Sequence, residues 1–226
     1  MDRVKPHRVE WHVPRDALEH LAEYDEQMKR LINSGVEIKR ERIMDPFVAL
    51  ADSIIYQQVS MKAAQTVWGR FVDLVQEPTP ETVLRRDVEE IKGCGLSYRK
   101  VDYLRDLAQG VIDGTVRLDQ LFELPDDEVV KTLVQIRGIG QWTAEMFLIF
   151  CLGRMDVVSY KDLGIRRGMK LLYSLEDEPT SQQFEYYRQR YQPYGTIASF
   201  YLWEVAIAGD LNSLLAVSKH FHDPTV

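Results

Sequence analysis

Gly138-Ile139-Gly140 constrains this chain more than any other stretch, because two helical patterns meet there. Upstream, Val129, Val130, Leu133 and Val134 recur at helical spacing; downstream, Trp142, Met146, Phe147, Ile149 and Phe150 do the same. Two glycines around one apolar residue suit a sharp helix-to-helix connection, since glycine takes left-handed backbone angles at little cost. The missing side chains also let the backbone come close to a partner. Amides from Gly140 to Thr143 open the second helix, where they lack intrahelical acceptors and suit an anion such as a phosphate. A plain helical hairpin fits the same residues. No Gly-Lys-Ser/Thr follows, so this is not a P-loop, and it does not leave a strand as a dinucleotide fingerprint must.

The rest of the chain reads as helices. Asp16 to Asn33 forms one amphipathic pattern (Leu18, Leu21, Met28, Leu31, Ile32) ended by Gly35. Asp45-Pro46 opens the next helix as a cap followed by proline at the first helical position, with Phe47, Leu50, Ile54 and Ile55 facing a core. Ser60 caps Met61 to Val75, and Thr79 opens a short helix after the Glu77-Pro78-Thr79-Pro80 linker. A second glycine-flanked turn, Gly93-Cys94-Gly95-Leu96, precedes the helix Ser97 to Gly110 and resembles a degenerate copy of the first. Thr180 to Arg190 and Tyr194 to Leu211 complete the set, with Pro193 between them. The best strand candidate, Gly114 to Leu118, is short. The fold class is all-α.

Bulk properties narrow the classes. With 226 residues the chain can form one sizeable domain or two small lobes around a cleft. No apolar run is long enough for a membrane span, and the charged start MDRVKPHRVEW is no signal peptide, which points to an intracellular protein in cytoplasm or nucleoid, or in a nucleus. Two cysteines, Cys94 and Cys151, are too few for an iron–sulfur cluster, which needs four thiolates. His220 and His222 lack the further ligands of a zinc site. The net charge of −7 argues against coating DNA electrostatically. It leaves room for local docking through backbone amides and a basic cluster: Arg137 on the turn, with Lys161, Arg166, Arg167 and Lys170 around Asp162.

Asp162 opens a helical pattern that continues Leu163-Gly164-Ile165-Arg166-Arg167. Alone, an aspartate there is usually a cap. GIGQWTAEMF followed by VVSYKDLGIRRG, however, resembles the helix-hairpin-helix DNA glycosylases, specifically the AlkA-type 3-methyladenine DNA glycosylase II family. SIIYQQVSMKAAQTVWGRF, GCGLSYRKVDYLRDLA and YQPYGTIASFYLW extend the likeness over roughly Asp45 to Gly209. Too few residues precede Asp45 for the β-rich lobe of the longer members, so the chain resembles the compact form.

The resemblance implies two helical lobes around a cleft, one roughly 60–165 and the other the N-terminal helices plus 166–226, with a hairpin motif over 126–152. It implies a monofunctional glycosylase that flips an alkylated purine out of duplex DNA and hydrolyses its N-glycosidic bond. Asp162 falls on the catalytic aspartate, and Trp142, Trp203, Tyr56 and Met146 on the base pocket. Gly138, Ile139, Gly140, Thr143 and Arg137 would meet the DNA backbone, and Gln58 stands at the wedge position. Strand-cleaving relatives carry a nucleophilic lysine where this chain has Trp142, so no lyase step is expected. A monovalent cation could rest on the carbonyls of Val134, Ile136 and Ile139; no other cofactor is implied. Gly195 stands where arginine is frequent. The partner would be double-stranded DNA containing alkylated bases, met by a monomer. Two other readings stay open: a glycosylase for another damaged base, and a non-catalytic helix-hairpin-helix DNA-binding protein.

Overall fold

A computed structural model describes residues 8–211 and 214; His7, His220 and His222 lie outside the described residues. In order, the elements are β1 (Arg8–Glu10), α1 (Arg15–Tyr24), α2 (Glu26–Asn33), β2 (Glu41–Ile43), α3 (Pro46–Tyr56) and α4 (Met61–Val75). Then follow α5 (Pro80–Leu84), α6 (Val88–Gly93), α7 (Tyr98–Ile112), a 3-10 turn (Leu118–Phe122), α8 (Asp126–Leu133) and α9 (Gln141–Phe147). A π-helical turn (Leu148–Leu152) extends α9, and α10 (Leu163–Leu172), α11 (Ser181–Tyr191) and α12 (Gly195–Ala208) complete the chain. Helices carry the fold; β1 and β2 pair in a single two-stranded sheet among the described residues.

The helix starts are set by side chains. Asp45 accepts from the Val48 amide, Ser60 from Ala63, Thr79 from Thr82, Ser97 from Lys100 and Thr180 from Gln183. Each satisfies an amide that the helix itself leaves without an acceptor.

The chain divides into two compact units. Among the described residues, the first comprises 8–9 and Glu41–Gly153. Its axis is α3, where Phe47, Val48, Ala49, Leu50, Ala51, Ile54 and Ile55 are all buried. A helix so nearly apolar all round needs cover on every side, and α4, α7 and α9 supply it. Each large aliphatic or aromatic side chain buried this way contributes about 1.5–3 kcal/mol, so α3 is a main stabilising element of this unit.

The second unit comprises Glu10–Arg40 and Arg154–Val226. Its axis is α12, in which every residue from Gly195 to Leu202 is buried, and α1, α2, α10 and α11 pack around it. The approach of α10 is unusually close: a Cβ on Gly168 would run into the backbone carbonyl of Leu202. Only glycine allows the two helix backbones to meet there.

Two expectations are corrected. Asp16 to Asn33 is two helices, because Asp25 leaves helical geometry (φ −142°, ψ 112°) and its Oδ1 accepts from the Gln27 and Met28 amides. Its Oδ2 accepts from the Tyr173 hydroxyl at 2.8 Å, so the break is fixed by a distant residue. Gly114 to Leu118 is no strand: Gly114 has φ +72°, and Thr115 and Val116 bond back to the Gly110 carbonyl, ending α7. The two compact units divide at 40/41 and 153/154. Segment 41–60 goes with the first unit because α3 packs on α4, α7 and α9, and segment 154–165 goes with the second because α12 holds it.

Candidate active site

Asp162 and Trp203 belong to the second unit, and all other expected site residues to the first. The loop that delivers Asp162 is an irregular backbone satisfied by small polar residues of α12. Thr196 donates its amide to the Met155 carbonyl (2.9 Å) and its hydroxyl to the Arg154 carbonyl (2.7 Å), and accepts from the Val157 amide (3.0 Å). Ser199 donates to the Val157 carbonyl at 2.9 Å, and the Gly195 amide donates to Asp156 at 3.1 Å. A Cβ on Gly195 would stand 2.6 Å from Val158 Cγ2 and 2.7 Å from Asp156 Oδ1. A side chain at this position would displace Val158 and Asp156, so glycine lets the loop close on α12 as it stands.

Asp162 caps α10 and is 8% exposed. Its Oδ1 accepts from the Ile165 amide at 2.8 Å and from the indole nitrogen of Trp203 at 3.0 Å. Two donors on one carboxylate oxygen fix its orientation, and bonds to a charged acceptor are about twice as strong as neutral ones. Room for the indole is made by Gly164, where a Cβ would stand 2.9 Å from Trp203 Cδ1 and 3.2 Å from its Nε1. Gly164 and Gly168, one turn apart, thus let α10 lie on α12 with Asp162 against Trp203. Trp203 also stacks on Phe200 (centroids 5.9 Å, 29°), and the Arg40 guanidinium lies 5.9 Å from its ring centre, paired with Glu204 at 2.7 Å. Arg40 is therefore a cation–π neighbour of this indole inside the protein. Among the other cations of the expected cluster, Arg166 pairs with Glu178 at 3.0 Å.

In the first unit, α8 and α9 form the hairpin. Gly138 has φ +91°, and a Cβ there would enter the Tyr103 ring. Gly140, the cap residue of α9, is different: it is exposed and its Cβ would meet nothing within 4 Å. Ile139 is buried and plugs the turn, so only its backbone could reach a partner. Thr143 is buried and its hydroxyl accepts from the Gln57 side-chain amide at 3.3 Å. Met146 is buried, Tyr56 half-buried, and Trp142 39% exposed. Arg137 pairs with Asp106 at 3.0 Å and reaches Asp102 at 4.0 Å, so acids of α7 offset the charge expected for phosphate. Gln58 is exposed with φ +55°. The carbonyl of Ile136 accepts from the Ile139 amide, and Val134 is the C-cap of α8, where carbonyls lose their helical donors. A set of neutral carbonyl oxygens at a helix end suits a hard monovalent cation.

Two positions that shape the surroundings of Asp162, Gly164 and Gly168, are not singled out by the sequence analysis. The glycine spacing was visible in LGIRRG, but its meaning depends on α12, which is remote in sequence. Beside Tyr56, burial pushes the Asp52 carboxyl up to about 6 despite the Arg8 guanidinium at 3.1 Å. Among the described residues no group of three His, Cys, Asp or Glu side chains could hold a metal ion, and no helix is long and apolar enough to cross a membrane.

Residues 51–193 match the HhH-GPD superfamily base excision DNA repair protein family. DNA-3-methyladenine glycosylase 1 of Schizosaccharomyces pombe is 35% identical over 208 residues, 89% of this chain and 91% of that protein. DNA-3-methyladenine glycosylase of Saccharomyces cerevisiae is 35% identical over 191 residues, 77% of this chain and 64% of that protein. Among solved structures, the Schizosaccharomyces pombe 3-methyladenine DNA glycosylase in complex with abasic DNA superposes with a TM-score of 0.77 at 35% identity, covering 85% of this chain and 97% of the other. The DNA-3-methyladenine glycosidase of Bacillus halodurans gives 0.77 at 33% identity, covering 95% and 100%.

Proposed function

Because the chain belongs to the HhH-GPD superfamily of base excision DNA repair proteins, we propose that it is a monofunctional DNA glycosylase for alkylated purines such as 3-methyladenine and 7-methylguanine in double-stranded DNA. The observation that carries this reading is the Asp162 carboxylate, which lies in the family's matched region and is fixed by the Ile165 amide and by the indole of Trp203, ten residues beyond that region. An alkylated purine is already cationic, so its bond to the sugar breaks without a strong general acid, and the bond electrons leave with the neutralised base. What remains is to stabilise positive charge on the sugar and to direct a water to C1′. A fixed carboxylate does the first through its charge and the second by accepting the water's proton.

The base must leave the stack before Asp162 can act. Gln58, exposed on its turn, is the side chain we assign to the vacated space, and Trp142 presents an indole face that attracts a cationic base. Trp142 stands where a lyase needs an amine, so water is the nucleophile and an abasic site the product. The exposed backbone at Gly140 and the first amides of α9 are assigned to phosphate, with the carbonyls of Val134, Ile136 and Ile139 holding a monovalent cation beside it. Tyr56 and Met146, on the packed helices α3 and α9, trim the pocket.

The test is incubation with methylated duplex DNA, followed by chromatography of freed bases and gel analysis of the strands. Free 3-methyladenine, with strands intact until alkali is added, is the expected result. Strand breaks without alkali would refute the monofunctional assignment, and no release of any alkylated base would refute the substrate class.

A further inference from the structure

The turn that presents Gln58 is held from two sides. α3 ends at Tyr56, and Gln57 (φ −56°, ψ 131°) followed by Gln58 (φ +55°) has the backbone of a tight turn whose second central residue is normally glycine or asparagine. A long side chain in this conformation is disfavoured and persists where neighbours over-determine it. Lys100 of α7 donates its ammonium to the carbonyls of Ile55 and Gln57, both at 2.7 Å. Burial, and after it the charge of Arg99, lowers the Lys100 pKa, so these two bonds are made against an electrostatic cost. From the other side, the Gln57 amide donates to the Gly138 carbonyl at 2.9 Å and to the Thr143 hydroxyl at 3.3 Å. One residue is thereby fixed through its backbone by α7 and through its side chain by the hairpin.

We propose that Gln57, together with Lys100, is a positioning residue that locks the Gln58 turn onto the hairpin, so that gripping the DNA backbone and filling the vacated stack occur as one event. The inference rests on the assignment of Gln58 as the residue that fills that space. Base flipping is uphill, and a wedge on a loose turn would spend part of its effect on ordering its own backbone. A turn already fixed by four hydrogen bonds from two donor groups has less order left to gain on insertion. A lysine on helix-terminal carbonyls is also a common stabilising device, so the test must separate positioning from stability.

The experiment uses a duplex with one 7-methylguanine beside a 2-aminopurine, whose fluorescence rises when its neighbour unstacks. Stopped-flow fluorescence and single-turnover base release are recorded for wild type, Gln57→Leu, Gln58→Ala and the double variant, with affinity for undamaged duplex and thermal melting measured alongside. Losing the Gln57 bonds is expected to slow both the fluorescence rise and base release about tenfold. Affinity for undamaged duplex should stay within about twofold, and Gln57→Leu should add little to Gln58→Ala because it acts through that side chain. Lys100→Met, which removes the other tie, should give the same pattern and replaces Gln57→Leu if that variant is unfolded at the assay temperature. Equal losses in flipping and undamaged-duplex affinity, effects that multiply in the double variant, or wild-type rates in Gln57→Leu would each overturn the inference. A wild type that neither flips nor releases the base would instead overturn the function on which it rests.

Discussion

Adding one methyl group at Gly164 should slow catalysis without unfolding the protein. The alanine Cβ would stand 2.9 Å from Trp203 Cδ1, 3.1 Å from Asp162 Oδ1 and 3.2 Å from Trp203 Nε1. Carbon atoms in ordinary contact stand about 3.5–4.0 Å apart, so the indole must retreat by roughly 0.6–1 Å. That stretches the 3.0 Å bond from Trp203 to Asp162 beyond hydrogen-bonding distance. A bond to a charged acceptor is worth about 1.5–3 kcal/mol, and if the orientation it imposes is realised only in the transition state, its loss corresponds to roughly 10- to 150-fold in rate. Stability moves less, because alanine is favoured over glycine inside a helix by about 0.5–1 kcal/mol, offsetting much of the crowding. The assay is single-turnover base release beside thermal melting, with Trp203→Phe as companion because it deletes the N–H donor without adding an atom. Both variants should be at least about tenfold slow at a melting temperature near wild type. Rates within twofold of wild type for both, at unchanged stability, would refute the claim that Trp203 holds the catalytic carboxylate.

Other perturbations separate fold from interface. Gly138→Ala meets the Tyr103 ring at φ +91° and should cost about 1–3 kcal/mol of stability, read from denaturant melts; an unchanged midpoint would contradict the packing described. Gly140→Asp places a good helix cap where nothing lies within 4 Å, so melting should hold or rise, yet its charge should weaken DNA binding at least about fivefold. Full affinity in that variant would remove the hairpin from the interface. Asp52 gives a pH signature: its carboxyl is about 6 in the fold against an ordinary 3.8, so the folded state holds the proton more tightly. Its contribution is therefore complete below about pH 4 and is lost as pH rises to about 6, on the order of 3 kcal/mol. Denaturant melts of wild type and Asp52→Asn at pH 4, 6 and 8 should diverge in favour of the variant as pH rises, and parallel curves would show that burial of this carboxylate carries no such cost.

Local chemistry made much of the fold legible. Helix starts at Asp45, Ser60, Thr79, Ser97 and Thr180 could be read because a cap depends on residues three positions away, and each makes that bond in the structure. The break at Asp25 could not, because Tyr173 and Arg190 help to fix its carboxylate from far along the chain. Strands β1 and β2 are three residues each and come from distant segments, too short for an alternating pattern. Gly114 to Leu118 carried β-branched residues but had no partner strand, so it wraps the end of α7 instead.

The candidate site divides the same way. The hairpin and the helix start at Asp162 were readable from local sequence, whereas the bond from Trp203, 41 residues away, needed the packing of α10 on α12. The acids that pair with Arg137, Asp106 and Asp102, lie one helix away and could not be read from its sequence neighbours. Gln57 was hidden beside the more conspicuous Gln58, since its partners lie on the hairpin.

The central claim, that Asp162 is the catalytic carboxylate of an alkylpurine glycosylase, meets its most direct test in Asp162→Asn. Asparagine caps a helix about as well as aspartate, so fold and DNA affinity should be kept. Single-turnover release of 3-methyladenine from methylated duplex should fall by at least about a hundredfold relative to wild type. Release at a rate near wild type, from a folded variant that binds DNA normally, would contradict the account.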